Sequence, residues 1–234
     1  MLPRHVYSIF QFPKNLRMTD DLKIFILSMT CAVPATLAFS VQGKIHRVFK
    51  PVAYIFLLAV ITESTIYLSK TYPLISGNLI TNIFLLLNTS LQVLFFYQLK
   101  IIRNKQTAIL ILAFFVVVLI GNAVYLHSLN DFCSIAALVM CILILLMAVE
   151  GITIQTFRSK EKWSSDFVFL FCIITVIYNA NVVFYFSIAL IGVKDGDLHG
   201  KVLGIYRFIN AACNILYVWP ILCIPRNNSY MKLF

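Results

Sequence analysis

The sequence predicts an all-α polytopic transmembrane bundle with seven spans. Seven apolar runs follow one another, each close to or above the ~20 residues with which a helix rising about 1.5 Å per residue crosses a bilayer. The chain is 61% hydrophobic and 12% charged, with a mean hydropathy of +0.90, too few charges to cover a soluble globule of this size. The runs are continuous rather than alternating in polarity, which favours helices over barrel strands.

Short polar segments separate the seven runs in chain order. The runs cover residues 22–41, 51–69, 74–99, 107–127, 133–155, 167–193 and 202–224. The first follows Asp20 and Asp21, and basic segments close the first, third and fifth. In the seventh, the pair Trp219-Pro220 is expected to bend or end the helix, because proline lacks a backbone N–H and clashes with the preceding turn.

The runs leave no room for a folded soluble domain. Residues 22–224 form the predicted seven-helix domain, residues 225–234 a short cytoplasmic tail and residues 1–21 an N-terminal tail. Val6, Ile9 and Phe10 share one side of a short helix that could lie on the membrane surface, although an irregular tail fits equally. A cleaved signal peptide is the competing interpretation of the first run, and it would leave six spans.

Lysine and arginine residues orient the predicted bundle. Eleven of them fall in the loops after spans one, three and five and in the C-terminal tail, against seven in the other loops and the N-terminal tail. The positive-inside rule then places the N-terminus outside and the C-terminus in the cytoplasm of a multi-pass cell-membrane protein. Topology also accounts for the net charge of +10, so we expect the lipid bilayer as a partner and no nucleic acid.

Cysteine, histidine and carboxylate spacing gives no sign of a metal, a cofactor or a catalytic centre. The six cysteines are dispersed, and the four histidines lie in the tail, in loops or at a span end. No span contains two carboxylates or a central histidine, as intramembrane hydrolases require. We predict no metal and no cofactor, and an enzyme that acts on lipid ranks third among the functions considered.

Polar residues in three spans recur at helical spacing, which places them in stripes. The stripes contain Asn78, Thr81, Asn88 and Gln92 in span three, Thr175, Tyr178, Asn181 and Tyr185 in span six, and Arg207, Asn210, Asn214 and Tyr217 in span seven. Lipid makes exposed polar groups costly, so we expect all three stripes to face the bundle interior. Hydrogen bonding between helices is the simpler explanation for the amides, and ligand contact is the alternative.

Glu63 and Arg207 are charged residues within predicted spans. Their distances from the outer span ends correspond to depths of roughly 9 and 8 Å, so they share a level. Because Arg207 stays protonated and needs a carboxylate partner inside the membrane, we predict that it pairs with Glu63. Asn122, Tyr125 and Asn210 lie in the same half. We therefore predict that Glu63, Asn122, Tyr125, Arg207 and Asn210 line an outward-facing ligand pocket.

The order of Asn78 to Gln92, Trp163, Tyr178-Asn179, and Tyr217 with Trp219-Pro220 resembles small orphan bacterial membrane proteins of unassigned function, some of which accompany sensor kinases. The resemblance implies a sensory or accessory signalling module with a polar intramembrane pocket, whose short basic loops contact a cytoplasmic signalling partner. The alternative is a small transporter or channel subunit, associated with a second membrane subunit, in which the stripes line a permeation route.

Overall fold

The structure, a computed structural model, describes residues 18–71, 76–126, 131–158, 166–191 and 196–225. Their regular elements are α1 (Met18–Ser28), α2 (Ala32–Val41), α3 (Lys50–Thr71), α4 (Gly77–Gln98), α5 (Lys105–Leu126), α6 (Ser134–Arg158), α7 (Phe167–Ile191), α8 (Gly196–Leu216) and α9 (Val218–Leu222), with 3₁₀ turns at Met29–Cys31 and Arg47–Phe49. The predicted helical bundle is confirmed. The N-terminal tail up to residue 17, Trp163 and residues 226–234 lie outside the described residues.

Seven of the described segments are long and apolar enough to cross a membrane, which indicates an integral membrane protein. The first consists of α1 and α2 and the seventh mainly of α8 and α9. The first packs against α3 and the seventh, α3 against α4, and α6 against α7 in the largest interface. The fourth, α5, packs on the flank against α4 and α6. Consecutive helices joined by short turns run in opposite directions, so residues 42–49, 99–104 and 223–225 share one end, here called the basic end.

The outer face of α5 shows how the bundle meets its surroundings. Leu110, Val117 and Val124 recur every seven residues and are each 67% exposed. On the opposite side of the same helix, Phe115 is fully buried. An apolar row of this kind would be costly in water and costs nothing in hydrocarbon, so it fits a helix that faces lipid.

The first span is broken near its middle. The 3₁₀ turn Met29–Cys31 separates α1 from α2, and Pro34 follows in the first turn of α2. Proline has no N–H to continue the helical ladder, and Thr30 Oγ1 adds a competing hydrogen bond to the Leu27 carbonyl at 2.7 Å. The sequence predicted one uninterrupted helix here, whereas the break at Trp219-Pro220 was predicted and appears between α8 and α9.

Candidate functional site

The Glu63 carboxylate lies at the break of the first span. It is half-buried on α3, and the Ser28 side chain at the end of α1 lies close enough to act on its charge. The neighbouring Ser64 hydroxyl lies 3.8 Å from the Met29 sulfur. Two consecutive residues of α3 therefore contact the broken segment. Carboxylates in membrane spans are rare and face a partner or a cavity, which makes this the leading site candidate.

The charge of the same carboxylate acts on tyrosines of the sixth and seventh spans. Glu63 lies within electrostatic range of the phenols of Tyr178 on α7 and Tyr206 on α8, both half-buried. Tyr206 stacks on Tyr185 with ring centroids 4.6 Å apart. We call Ser28, Glu63, Tyr178 and Tyr206 the carboxylate site. It gathers one acidic group and several hydroxyls, a set that can hold a proton or a cationic or hydroxylated ligand.

Arg207 lies on α8 directly after Tyr206 of this site. The charge that acts most strongly on Glu63 is that of Lys70, two turns further along α3. The Arg207 guanidinium acts on Tyr185 and Tyr206, so Tyr206 is the group on which Glu63 and Arg207 both act. The pairing of Glu63 with Arg207 therefore stays a prediction. Tyr206 lies in electrostatic range of both charges.

Two members of the predicted outer pocket lie elsewhere. Asn122 and Tyr125 are on α5, which packs against α4 and α6 on the flank of the bundle. Asn122 is buried, and its Oδ1 accepts a hydrogen bond from the Ala136 backbone N–H at 3.2 Å, which ties α5 to the start of α6. Tyr125 is 51% exposed. Asn210 is half-buried on α8, the helix that carries Arg207. The five predicted residues are thus divided between two regions.

The stripe of span three is placed toward the interior. Asn88 and Gln92 are buried, Asn78 and Thr81 are half-buried, and Thr81 donates to the Gly77 carbonyl at 2.9 Å. Gln92 Oε1 is buried without a hydrogen-bond partner. A buried amide oxygen without a hydrogen bond is costly, so packing between helices does not by itself explain why Gln92 is buried here.

The stripes of spans six and seven meet each other. Asn181 Nδ2 donates to the Tyr206 carbonyl at 3.3 Å and so joins α7 to α8 in the half of the bundle away from the basic end. Nearer the basic end, the Thr175 and Tyr217 hydroxyls are 2.9 Å apart, and both residues are buried. These contacts show amides and hydroxyls acting as hydrogen bonds between helices, the simpler of the two roles considered for them.

Asn214 connects the seventh span to the break of the first. Its Nδ2 donates to Thr30 Oγ1 at 3.0 Å, and Thr30 lies in the 3₁₀ turn two residues after Ser28. The broken segment therefore lies between two other spans, with Ser28 beside Glu63 on α3 and Thr30 hydrogen-bonded to Asn214 on α8.

We expect Thr30 and Asn214 to be energetically coupled. In a double-mutant cycle of Thr30→Val and Asn214→Leu, the interaction energy should be about 0.6 kcal/mol, the average for polar pairs between membrane helices. The measurement is reversible unfolding in mixed micelles. Thr36→Val is a matched control, because Thr36 is exposed and donates only within its own helix. Strict additivity of the Thr30 and Asn214 changes would show that the contact is not formed.

The basic half of the bundle axis is filled by aromatic rings. Ring centroids lie 4.9 Å apart for Phe49 and Phe167, 5.1 Å for Phe95 and Phe171, and 5.2 Å for Phe171 and Tyr217. Phe56 packs edge-on against Tyr217 at 5.1 Å. All six residues are buried. We call this set the aromatic plug; its members are Phe49, Phe56, Phe95, Phe167, Phe171 and Tyr217. It separates the carboxylate site from the basic end.

Several residues that build the site were not predicted. Ser28 and Thr30 were not recognised, although a proline four residues after Thr30 is a signal for a helix break. Asn82 was also missed: it donates to the Asp131 carbonyl at 2.8 Å and accepts from Cys133 N at 3.1 Å, fixing the start of α6. It lies one turn after Asn78, a spacing that a search of the helix face could have found.

Comparisons with models of protein families, with curated proteins and with solved structures found no match. Among the described residues, no three His, Cys, Asp or Glu side chains are grouped so that they could hold a metal ion. Function is therefore inferred from the carboxylate site, the broken first span and the aromatic plug.

Proposed function

We propose that this protein is a sensory or accessory signalling module of the cell membrane, with a polar intramembrane pocket at the carboxylate site. The observation that carries the proposal is the position of the broken segment, which has Ser28 beside Glu63 of α3 and Thr30 hydrogen-bonded to Asn214 on the seventh span. That span continues to the basic end. In this proposal, a ligand or proton that alters the Glu63 contacts shifts the broken segment between two arrangements, and the seventh span follows through the Thr30–Asn214 hydrogen bond.

The aromatic plug favours signalling over an open channel. Buried rings from α3, α4, α7 and the junction of α8 with α9 fill the axis between the carboxylate site and the basic end. A channel needs a hydrated route through the bundle, which closely packed aromatic rings do not offer. The side chains at the basic end include the cations Lys44, Arg47, Lys100 and Arg103, all exposed. In the orientation predicted from charge, they face the cytoplasm and are available to a signalling partner.

A second candidate is a small transporter whose substrate site is the carboxylate site. The 3₁₀ segment of the first span supports it, because transporter substrate sites typically form where a helix departs from regular α geometry beside a charged group. The aromatic plug would then be the closed inner gate of one state. A second membrane subunit fits this alternative, and a cytoplasmic partner fits the first.

Glu63→Gln tests the coupling that signalling requires. In a Trp163→Phe background, Trp219 is the sole tryptophan; it is exposed on α9 near the basic end. Because Gln cannot carry the negative charge, we expect Glu63→Gln to change the quenching of Trp219 by brominated lipids in vesicles. Glu150→Gln is the matched control, because Glu150 is an exposed carboxylate on α6. If brominated lipids quench Trp219 to the same extent in Glu63→Gln and in Glu150→Gln, this result would contradict coupling between the carboxylate site and the seventh span.

Ion flux separates the two candidate functions. Sealed vesicles that contain the protein are given a pH gradient and a membrane potential, and internal pH and potential are followed with dyes. If the protein is a signalling module, the parent protein and Glu63→Gln should show the same ion flux. Flux that Glu63→Gln abolishes and Glu150→Gln preserves would assign transport instead.

A further inference from the structure

A cleft of about 620 Å³ opens at the basic end, beside the turn that joins α4 to α5. It is lined by Tyr97, Gln98, Lys100, Ile102 and Arg103. The volume lies within the ~300–1,000 Å³ of small-molecule sites. Among the residues that the structure describes, the lining holds two cations, a phenol and an amide, and no carboxylate. This composition selects an anion, and bidentate contact from arginine is typical of phosphate recognition.

The turn that presents the two cations is fixed in place. The backbone N–H groups of Ile101 and Ile102 both donate to the Phe96 carbonyl, at 3.1 and 3.3 Å, and both isoleucine side chains are buried. On the α5 side, Asn104 Oδ1 accepts from Gln106 N at 3.0 Å. Lys100 and Arg103 therefore extend from a constrained backbone. The backbone therefore needs no rearrangement to present both cations to a ligand.

Lys100 has an unusual backbone conformation. Its φ is 58°, the left-handed region that lysine rarely adopts and that glycine adopts freely. The N–H of Lys100 donates to the Tyr97 carbonyl at 3.0 Å. This hydrogen bond and the left-handed conformation of Lys100 together end α4 and reverse the direction of the chain. Glycine would make the same turn without strain but would remove the ammonium group. A strained residue with a charged side chain at the wall of a cleft is an indication of function.

Gln98 adds a polar group that lacks a partner. It is half-buried at the wall of the cleft, and its Oε1 atom is buried without a hydrogen bond. Rotation of the amide into the cleft would let its N–H group donate to a phosphate oxygen or its oxygen accept from a headgroup hydroxyl. A ligand in the cleft would therefore satisfy a group that packing alone leaves unsatisfied.

The position of the cleft relative to the spans identifies the source of the anion. Gln98 is the last residue of the third span, and Lys105 is the first of the fourth. The cleft therefore lies where hydrocarbon gives way to headgroups, with Ile102 and the Tyr97 ring on its apolar side. We propose that this cleft binds a phosphate group, and that the phosphate belongs to the headgroup of an anionic bilayer lipid.

The test measures lipid retention by the full-length protein. Delipidated protein in a non-ionic detergent is titrated with phosphatidylglycerol, with phosphatidylcholine or with inorganic phosphate, and binding is followed by native mass spectrometry. Phosphatidylglycerol should bind most tightly. The pair Lys100→Gln/Arg103→Gln should weaken it by about tenfold or more, because two charge-assisted contacts are lost.

The chain provides a matched control pair at the same end. Lys44→Gln/Arg47→Gln removes one lysine and one arginine, both exposed and at the same spacing, outside the residues that line the cleft. It should change binding by less than about twofold, the level of diffuse charge attraction. Lys100→Gly relieves the backbone strain, so it should stay folded while losing affinity, which separates binding from misfolding.

Three results would count against the proposal. If the two double variants lose the same affinity for phosphatidylglycerol, binding would be due to general electrostatic attraction by the basic end and not to the cleft. Equal retention of phosphatidylcholine would overturn recognition of an anion. Displacement of phosphatidylglycerol by inorganic phosphate at similar affinity would support a phosphate site but overturn the lipid as its source.

Discussion

Gly151→Leu should prevent the bundle from assembling. Gly151 is buried on α6 where it meets α7, and a Cβ built there would lie 2.7 Å from Cys172 Sγ and 2.9 Å from Ile101 Cδ1. Cys172 is fully buried and has no free space to move into. Since α6 and α7 form the largest helix interface, a leucine side chain must push the two helices apart. We expect little monodisperse protein in detergent and a sharply lowered melting temperature.

Two further variants make this prediction specific. Gly121→Leu places the same side chain on α5 where nothing lies within 4 Å of the new Cβ, and it should leave stability nearly unchanged. Gly151→Ala should cost about 1–3 kcal/mol, the usual penalty for overpacking a core. Adding Cys172→Ala removes the sulfur that the new methyl group contacts and should restore part of the loss. Wild-type stability of Gly151→Leu would mean that α6 and α7 do not approach as described.

Sequence patterns predict the helices of this protein better than its contacts. Apolar runs of about 20 residues have one favourable solution in lipid, since only helices satisfy every backbone group within the segment. The break at Trp219-Pro220 was also predictable, because proline acts locally. Gly151 shows the limit: no local pattern distinguishes it from Gly121, although one lies in the tightest interface and the other faces open space. That difference depends on which helices pack together.

The candidate site illustrates the same limit. Helical spacing predicts which residues share a face, but the neighbour of that face is a tertiary property. Asn122 lies at about the depth of Glu63, yet α5 lies on the flank and its amide caps the start of α6. Conversely, Ser28 reaches Glu63 because the first span breaks beside it. Depth along a helix can be counted from sequence, whereas rotation and order around the bundle cannot.

Phe171→Ala should produce the second large loss of stability, because Phe171 is the centre of the aromatic plug. It is 2% exposed and contacts Phe95 at 5.1 Å, Tyr217 at 5.2 Å and Phe167 at 5.6 Å. Truncating a buried phenylalanine typically costs about 3–5 kcal/mol, since the cavity loses contacts on every side. The measurement is unfolding in mixed micelles, with Phe208→Ala as control, because Phe208 is 70% exposed on α8.

A milder substitution at the same position examines what the plug transmits. Phe171→Leu retains most of the volume but loses the ring contact with Tyr217, the residue immediately before α9. If the seventh span carries the effect of Glu63 to the basic end through the plug, Phe171→Leu should suppress the change in Trp219 quenching produced by Glu63→Gln, while Phe208→Leu should leave it intact. An undiminished response in Phe171→Leu would mean that the seventh span moves as a rigid body from the Asn214 contact onward, and the plug would then serve only to close the axis.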